Sequence, residues 1–275
     1  MPHVDVDGLK LNYRDTSGDN PAIVLIHGYT GNTRNWALNI PALREKYRCV
    51  SFDLPGHGES DRSEDATVYS LEAMSERVVG AMKALDIERA TLMGHSMGGM
   101  VSGYIAVNHT EMLRALVLVD TAAEPLAERS ELRRRLVGAV KAIETERGPG
   151  GMEAVFDLHL QAATEAGPLD DRFVTLWREQ FLMTSLDAYI HCAEAMAGRE
   201  TLIPRLRELS LPTLIVCGEN DLPFLQASHN MNEAIAGSEL AIITGAGHSP
   251  TFETPAAFNE VLLRFLSRVH AGAAV

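Results

Sequence analysis

The chain is predicted to be an α/β protein built on a mostly parallel sheet, and three observations predict it. Short apolar runs such as Ala22-Ile23-Val24-Leu25-Ile26, Ala115-Leu116-Val117-Leu118-Val119 and Thr213-Leu214-Ile215-Val216-Cys217 have the continuous apolar character of strands buried on both faces. These runs alternate with stretches that can be helical, the pattern of strand–helix–strand units. From about Thr121 to Ile203 the alternation stops and the chain turns helical in character, with no β-branched run.

In chain order, Val4, Val6, Leu9, Leu11 and Tyr13 alternate around Asp7-Gly8, the signature of a hairpin and so of an antiparallel start. Four strand–helix alternations lead from Ala22 to Asp120. The helical stretch that follows, punctuated by Gly148-Pro149-Gly150-Gly151 and Gly167-Pro168, has the place and size of a lid inserted after the sixth strand. Residues 1–120 and 204–275 are therefore expected to form the core domain and 121–203 the lid. Alternation resumes at Leu211-Pro212-Thr213. The last helix is marked by Thr254 as cap, Pro255 at its first position and Phe258, Val261, Leu262, Phe265, Leu266 and Val269 on one face.

The most informative motif is Gly94-His95-Ser96-Met97-Gly98-Gly99, between the apolar Thr91-Leu92-Met93 and the helical Met100–Ala106. A G-x-S-x-G sharp turn from strand to helix strains the serine backbone and presents its hydroxyl at a helix N-terminus, where amides and the helix dipole favour developing negative charge. A nucleophilic serine needs a base, and the base an orienting carboxylate. His248, in Gly245-Ala246-Gly247-His248, and Asp221, in Gly218-Glu219-Asn220-Asp221, each lie just past a strand-like run. Open α/β sheets place chemistry at such carboxyl ends. Asp120, which ends its own apolar run, is an alternative acid. The buried strand that breaks into His27-Gly28-Tyr29-Thr30-Gly31 can aim a backbone N–H at the serine. The amides of Tyr29 and Met97 are thus the expected oxyanion donors, with His27 bracing the loop and Asp53 and His57 structural.

With these segments in view, the chain resembles the α/β-hydrolase superfamily in its compact serine branch, esterase-like hydrolases with a helical lid. The matching segments are His27-Gly28-Tyr29, Asp53-Leu54-Pro55-Gly56-His57-Gly58-Glu59-Ser60, the serine turn, Gly218–Asp221 and Gly245–His248, in the family's order. The resemblance implies the α/β-hydrolase fold, an eight-stranded mostly parallel sheet flanked by helices, and a Ser96–His248–Asp221 triad. It implies hydrolysis of a small or medium carboxylic ester, lactone or thioester through an acyl-enzyme, with no metal and no organic cofactor. Carbon–carbon bond cleavage or a lyase-type elimination by the same triad is the alternative within the superfamily. A ligand-binding receptor with little turnover is the alternative from another class.

The lid holds the expected substrate contacts, with Trp177 and Phe181 foremost among Phe156, His159, Met183, Tyr189, His191 and Met196, and Trp36 joining them from the core. Arg34, in the loop beside the oxyanion donors, is a candidate for a substrate carboxylate. The run Arg133-Arg134-Arg135 follows Glu124, Glu128 and Glu131 and reads as a solvated, charge-paired helix face. A formal net charge of −13 argues against nucleic acid or an anionic membrane as partner, which leaves a small-molecule substrate and a monomer or homodimer. Cys49, Cys192 and Cys217 read as reduced core thiols, and the chain opens on Met1-Pro2-His3 with neither a basic start nor an apolar stretch. The expected compartment is the cytoplasm.

Overall fold

The computed structural model describes residues 2–127, 134–135, 137–138, 140–142, 151–166 and 169–271. Its centre is one sheet of eight strands: β1 (His3–Val6), β2 (Leu9–Asp15), β3 (Ala22–Ile26), β4 (Arg48–Phe52), β5 (Ala90–His95), β6 (Leu113–Val119), β7 (Thr213–Gly218) and β8 (Glu239–Ile243). The spatial order is β1-β2-β4-β3-β5-β6-β7-β8. β2 runs antiparallel to both β1 and β4, and every other pairing is parallel. At the β1–β2 hairpin, Asp7 (φ 53°) and Gly8 (φ 77°) both take the left-handed conformation that a tight two-residue turn requires.

Because β3, β5, β6 and β7 are covered on both faces, successive residues feed two cores. Val24 and Ile26 enter one, and Ile23 and Leu25 the other. The first core lies under α1 (Leu71–Ala84), α2 (Met97–Asn108) and α6 (Leu222–Ala234), through side chains such as Met74, Val78, Val101, Ile105 and Phe224. The second lies under α7 (Pro255–Ala271), whose Phe258, Leu262, Phe265 and Leu266 are buried. Burying each of these four stabilises the fold by roughly 1.5–3 kcal/mol. Thr254 precedes α7 as expected. Its hydroxyl, however, donates to the Pro250 carbonyl at 3.4 Å, because Thr254 also closes the single turn Pro250–Glu253.

β6 and β7 are neighbours in register, Val119 opposite Val216, yet the helical insertion separates them in sequence. Among its described helices are α3 (Gly151–Ala166), α4 (Asp171–Leu182) and α5 (Leu186–Gly198). Asp170 caps α4 by accepting the N–H groups of Arg172 and Phe173, and Ser185 caps α5 by accepting that of Ala188. Val155, Phe156, Phe181, Tyr189 and Ile190 form their own apolar cluster. Gly151, read as part of a break, instead starts α3. Gly148-Pro149-Gly150, Gly167-Pro168, Glu128, Glu131 and Arg133 lie outside the described residues, so the charge-paired helix face expected there has no structural account. Among the described residues no helix is long and apolar enough to cross a membrane.

The chain passes from β3 to β4 on one side and then recrosses to β5 on the other. The crevice where loops diverge therefore lies at the carboxyl ends of β3 and β5, beside Gly28 and Ser96.

Candidate active site

β5 ends at His95 and α2 begins at Met97, so Ser96 alone makes the turn. Its φ of 53° and ψ of −116° lie outside the regions a non-glycine residue favours, a strain that tight surroundings hold in place. The flanking glycines are steric necessities. A Cβ on Gly94 would collide with the Gly98 carbonyl, and a Cβ on Gly98 with the Ile26 carbonyl. The turn is fixed further by the Ser96 N–H donating to Val119 O at 2.9 Å and by Thr121 Oγ1 donating to Ser96 O at 2.7 Å.

Three loops converge on that hydroxyl. His248 Nε2 stands 3.0 Å from Ser96 Oγ, and His248 Nδ1 stands 2.6 Å from Asp221 Oδ2. Asp221 sits at the head of α6 but makes no side-chain cap, which leaves its carboxylate to the imidazole. The carboxylate side chain is 2% exposed and the imidazole 37%. The three side chains are thus closed to water at the Asp221 end and partly open at the His248 end.

Asp120, the alternative acid, lies beside Asp221 and meets the β7 backbone. Its Oδ1 accepts the Gly218 N–H at 2.9 Å. Burial lifts its carboxyl well above the usual range against the Gly218 N–H, and the nearby charge of Asp221 lifts it further. The Asp120 carboxyl is thereby biased toward its protonated form. The Asp120, Asp221 and Cys217 polar atoms lie within 4.8 Å of one another, all buried.

Two supports for the base loop were not read from the sequence. Glu253 accepts the Gly247 N–H at 2.6 Å and the Ser249 N–H at 2.8 Å, gripping the backbone on both sides of His248. His95 brings its Nε2 to 2.6 Å from the His248 carbonyl, and burial lowers its pKa to about 3. A neutral imidazole bonded to a carbonyl must carry its proton on that nitrogen.

The residues assigned bracing roles have them. His27 Nε2 accepts the Leu54 N–H at 2.9 Å, which places the ring proton on Nδ1, 2.7 Å from Gly28 O. Asp53 accepts from Asn12 Nδ2, Thr33 N and Glu59 N, and His57 Nδ1 meets Pro55 O at 2.9 Å. Tyr29 lines the cavity above Ser96, and Met97 opens α2, where an amide has no helical carbonyl ahead of it.

That cavity encloses about 360 Å³. Trp177, Phe181, His159 and Tyr189 line it as expected. Phe173, Leu176, Gln180, Phe252 and Glu253 line it without having been expected. Four candidates point elsewhere. Phe156 is buried within the insertion's own cluster, Met183 receives Asn32 Nδ2, His191 stacks on Tyr69, and Met196 enters the first core. Trp36 is a further correction. It is fully buried in the second core with Ile23 and Leu25 and does not line the cavity, because the turn capped by Asn32 folds its ring inward. Arg34 does not line the cavity either, and it pairs with Glu179 at 3.2 Å on the surface. The three cysteines are buried and unpaired, and burial raises all three thiols, Cys49 to about 12.

This fold and this convergence of a strained serine, a histidine and a buried carboxylate define a hydrolase of the α/β class. A family model described as the alpha/beta hydrolase fold matches residues 21–255, and the chain belongs to that family. It is similar to 3-oxoadipate enol-lactonase 2 of Acinetobacter baylyi, at 25% identity over 94% of each chain. Among solved structures it resembles the enol-lactonase of Burkholderia xenovorans LB400, at 26% identity, TM-score 0.81, with 97% of this chain and 100% of the other covered. It also resembles a thermophilic esterase of Thermogutta terrifontis, at 26% identity, TM-score 0.84, with 98% and 100% covered.

Proposed function

We propose that this hydrolase cleaves a small or medium carboxylic ester, lactone or thioester through an acyl-enzyme on Ser96. The observation that carries the reading is the unbroken relay from Ser96 Oγ through His248 to Asp221, at 3.0 and 2.6 Å. In the resting relay His248 holds its proton on Nδ1 toward Asp221, so Nε2 is free to accept the serine proton. As Ser96 Oγ bonds to the substrate carbonyl carbon, that proton passes to Nε2 and Asp221 stabilises the imidazolium. The carbonyl oxygen, now negative, is bound by the amides of Tyr29 and Met97. Nε2 returns the proton to the departing alkoxide or thiolate as the bond to carbon breaks. Water then gives a proton to the same nitrogen, attacks the acyl carbon and frees the acid, and Ser96 takes the proton back.

The esterase and enol-lactonase names of its relatives agree with this chemistry. A fluorophosphonate and an ester panel test it. One modified peptide containing Ser96, with loss of labelling and of at least about 10³-fold in kcat for Ser96→Ala, is the expected result. Labelling at another serine, or turnover of ring-fission diketones without turnover of esters, would overturn it.

A further inference from the structure

The wall of the cavity contributed by the insertion is largely aromatic, and its polar side-chain atoms come from Gln180, His159 and the Tyr189 hydroxyl. Phe173 stacks on Trp177 at 5.9 Å between ring centres and meets Phe252 at 5.5 Å, so the two rings and the base loop frame an apolar slot. Gln180, from α4, lines the same cavity and is 5% exposed. Among the described residues its amide nitrogen Nε2 is buried with no hydrogen-bond partner. His159, the nearby polar neighbour, already engages the Tyr189 hydroxyl at 2.7 Å through Nε2. Burial lowers the His159 pKa to about 4, so that ring is uncharged at neutral pH.

A buried amide donor left without an acceptor is a standing cost to the protein, and an oxygen brought in by a ligand removes it. The charge of the lining argues in the same direction. None of the described lining residues is a lysine or arginine, and Glu253 adds a carboxylate at the base loop. A substrate carboxylate buried there would lack a cationic partner, and burying an unpaired charge is far more costly than burying a neutral oxygen.

We propose that Gln180 is the specificity-determining residue of this cavity. Its substrate is an uncharged ester or lactone that bears a flat apolar group and a second oxygen accepting the Gln180 amide N–H. The inference rests on the ester-hydrolase reading above and narrows it. It also sets this chain apart from hydrolases whose substrates carry a free carboxylate.

Three methyl esters of nearly identical shape test it: methyl 4-acetylbenzoate, methyl 4-isopropylbenzoate and monomethyl terephthalate, together with their 3-substituted isomers. They differ at the distal group, which is a neutral acceptor, an apolar isostere or a carboxylate. Each kcat/KM is divided by the rate of hydroxide hydrolysis, which removes the electronic effect of the substituent. The wild type should favour the acetyl over the isopropyl ester by about tenfold in at least one isomer series, the size of one neutral hydrogen bond, and should use the carboxylate least. In Gln180→Met and in Gln180→Glu that acetyl preference should collapse toward unity, and fluorophosphonate labelling of Ser96 confirms an assembled site in each variant. Two variants of different polarity guard against one that fails to fold. An acetyl preference that survives in a labelled variant overturns the inference and leaves the hydrolase reading intact, as does a wild type that prefers the carboxylate. A wild type that turns over none of the esters and shows no label at Ser96 overturns both.

Discussion

The imidazole of His95 is bonded to the backbone carbonyl of His248, Nε2 to O at 2.6 Å, so the residue before Ser96 holds the loop that carries His248. The Ser96 turn and the His248 loop thus share a direct fastening besides the bond between their side chains. His95→Leu should lower kcat by about tenfold with a smaller change in KM, since a base displaced by a fraction of an ångström loses proton-transfer geometry more than ground-state binding. His95→Gln, which can return a donor to the same carbonyl, should recover part of the loss. Equal kcat in wild type and His95→Leu would show that the fastening has no role in turnover.

The two buried carboxylates should respond unequally. Asp221→Asn should lower kcat by on the order of 10²–10⁴ with the fold retained, because an amide cannot stabilise the imidazolium. Asp120→Asn should cost much less, since the carboxyl it replaces is biased toward its protonated form, which has nearly the same charge and shape. Steady-state kinetics on both variants decides the matter, and the reverse ranking would move the acid to the end of β6.

Glu253 should act by position. Its two backbone bonds at 2.6 and 2.8 Å fix the segment around His248. Glu253→Ala should lower kcat by about tenfold or more while fluorophosphonate labelling slows in parallel, both readouts depending on the base. Glu253→Gln, which keeps acceptor capacity through its carbonyl oxygen, should fall between alanine and wild type. A Glu253→Ala enzyme labelled at the wild-type rate would show that the loop holds itself.

Stability should fall on acidification. Burial lowers the pKa of His57 to about 3, of His95 to about 3 and of His159 to about 4. Below the unfolded value near about 6.5, the unfolded chain binds protons that these folded side chains refuse, so each lowers stability by up to about 1.4 kcal/mol per pH unit. Asp120, whose folded pKa is raised, works oppositely. It releases its proton more readily when the chain unfolds, so it costs stability as pH rises above the ordinary carboxylate value. With the histidines in the majority, denaturant midpoints should drop clearly between pH 7 and pH 5. An unchanged midpoint would mean that these imidazoles are solvated.

The sheet and the Ser96, Asp221 and His248 loops were readable because local patterns announce them. Buried strands read as apolar runs, and glycines crowd the serine turn for steric reasons visible as spacing. The choice between Asp120 and Asp221 was not local. Both end apolar strands, and what separates them is that Gly218 donates to one while His248 meets the other. Trp36 was misplaced because an aromatic residue near a functional loop carries no sign of which way its ring turns. In Glu253 a signal did exist, an acid four residues after Ser249 at the start of a helical turn, which resembles a capping pattern. Gln180 had none, since a glutamine on a helix tells nothing of what lies opposite until the helix is docked.

The insertion leaves the sheet after β6, and before the chain enters β7 its two ends are tied together where the Leu202 N–H donates to Ala123 O at 2.8 Å. The two ends of the excursion are therefore held a single hydrogen bond apart by the backbone itself. For ends so placed, the entropy of closing the excursion grows slowly with its length, by about 0.6 kcal/mol for each doubling. The molecule is in this respect a chassis with a socket. A longer, shorter or unrelated helical cassette could be exchanged between β6 and β7 with Ser96, Asp221 and His248 still anchored in the sheet, and selectivity could diverge between such enzymes while their bond-breaking apparatus stood still.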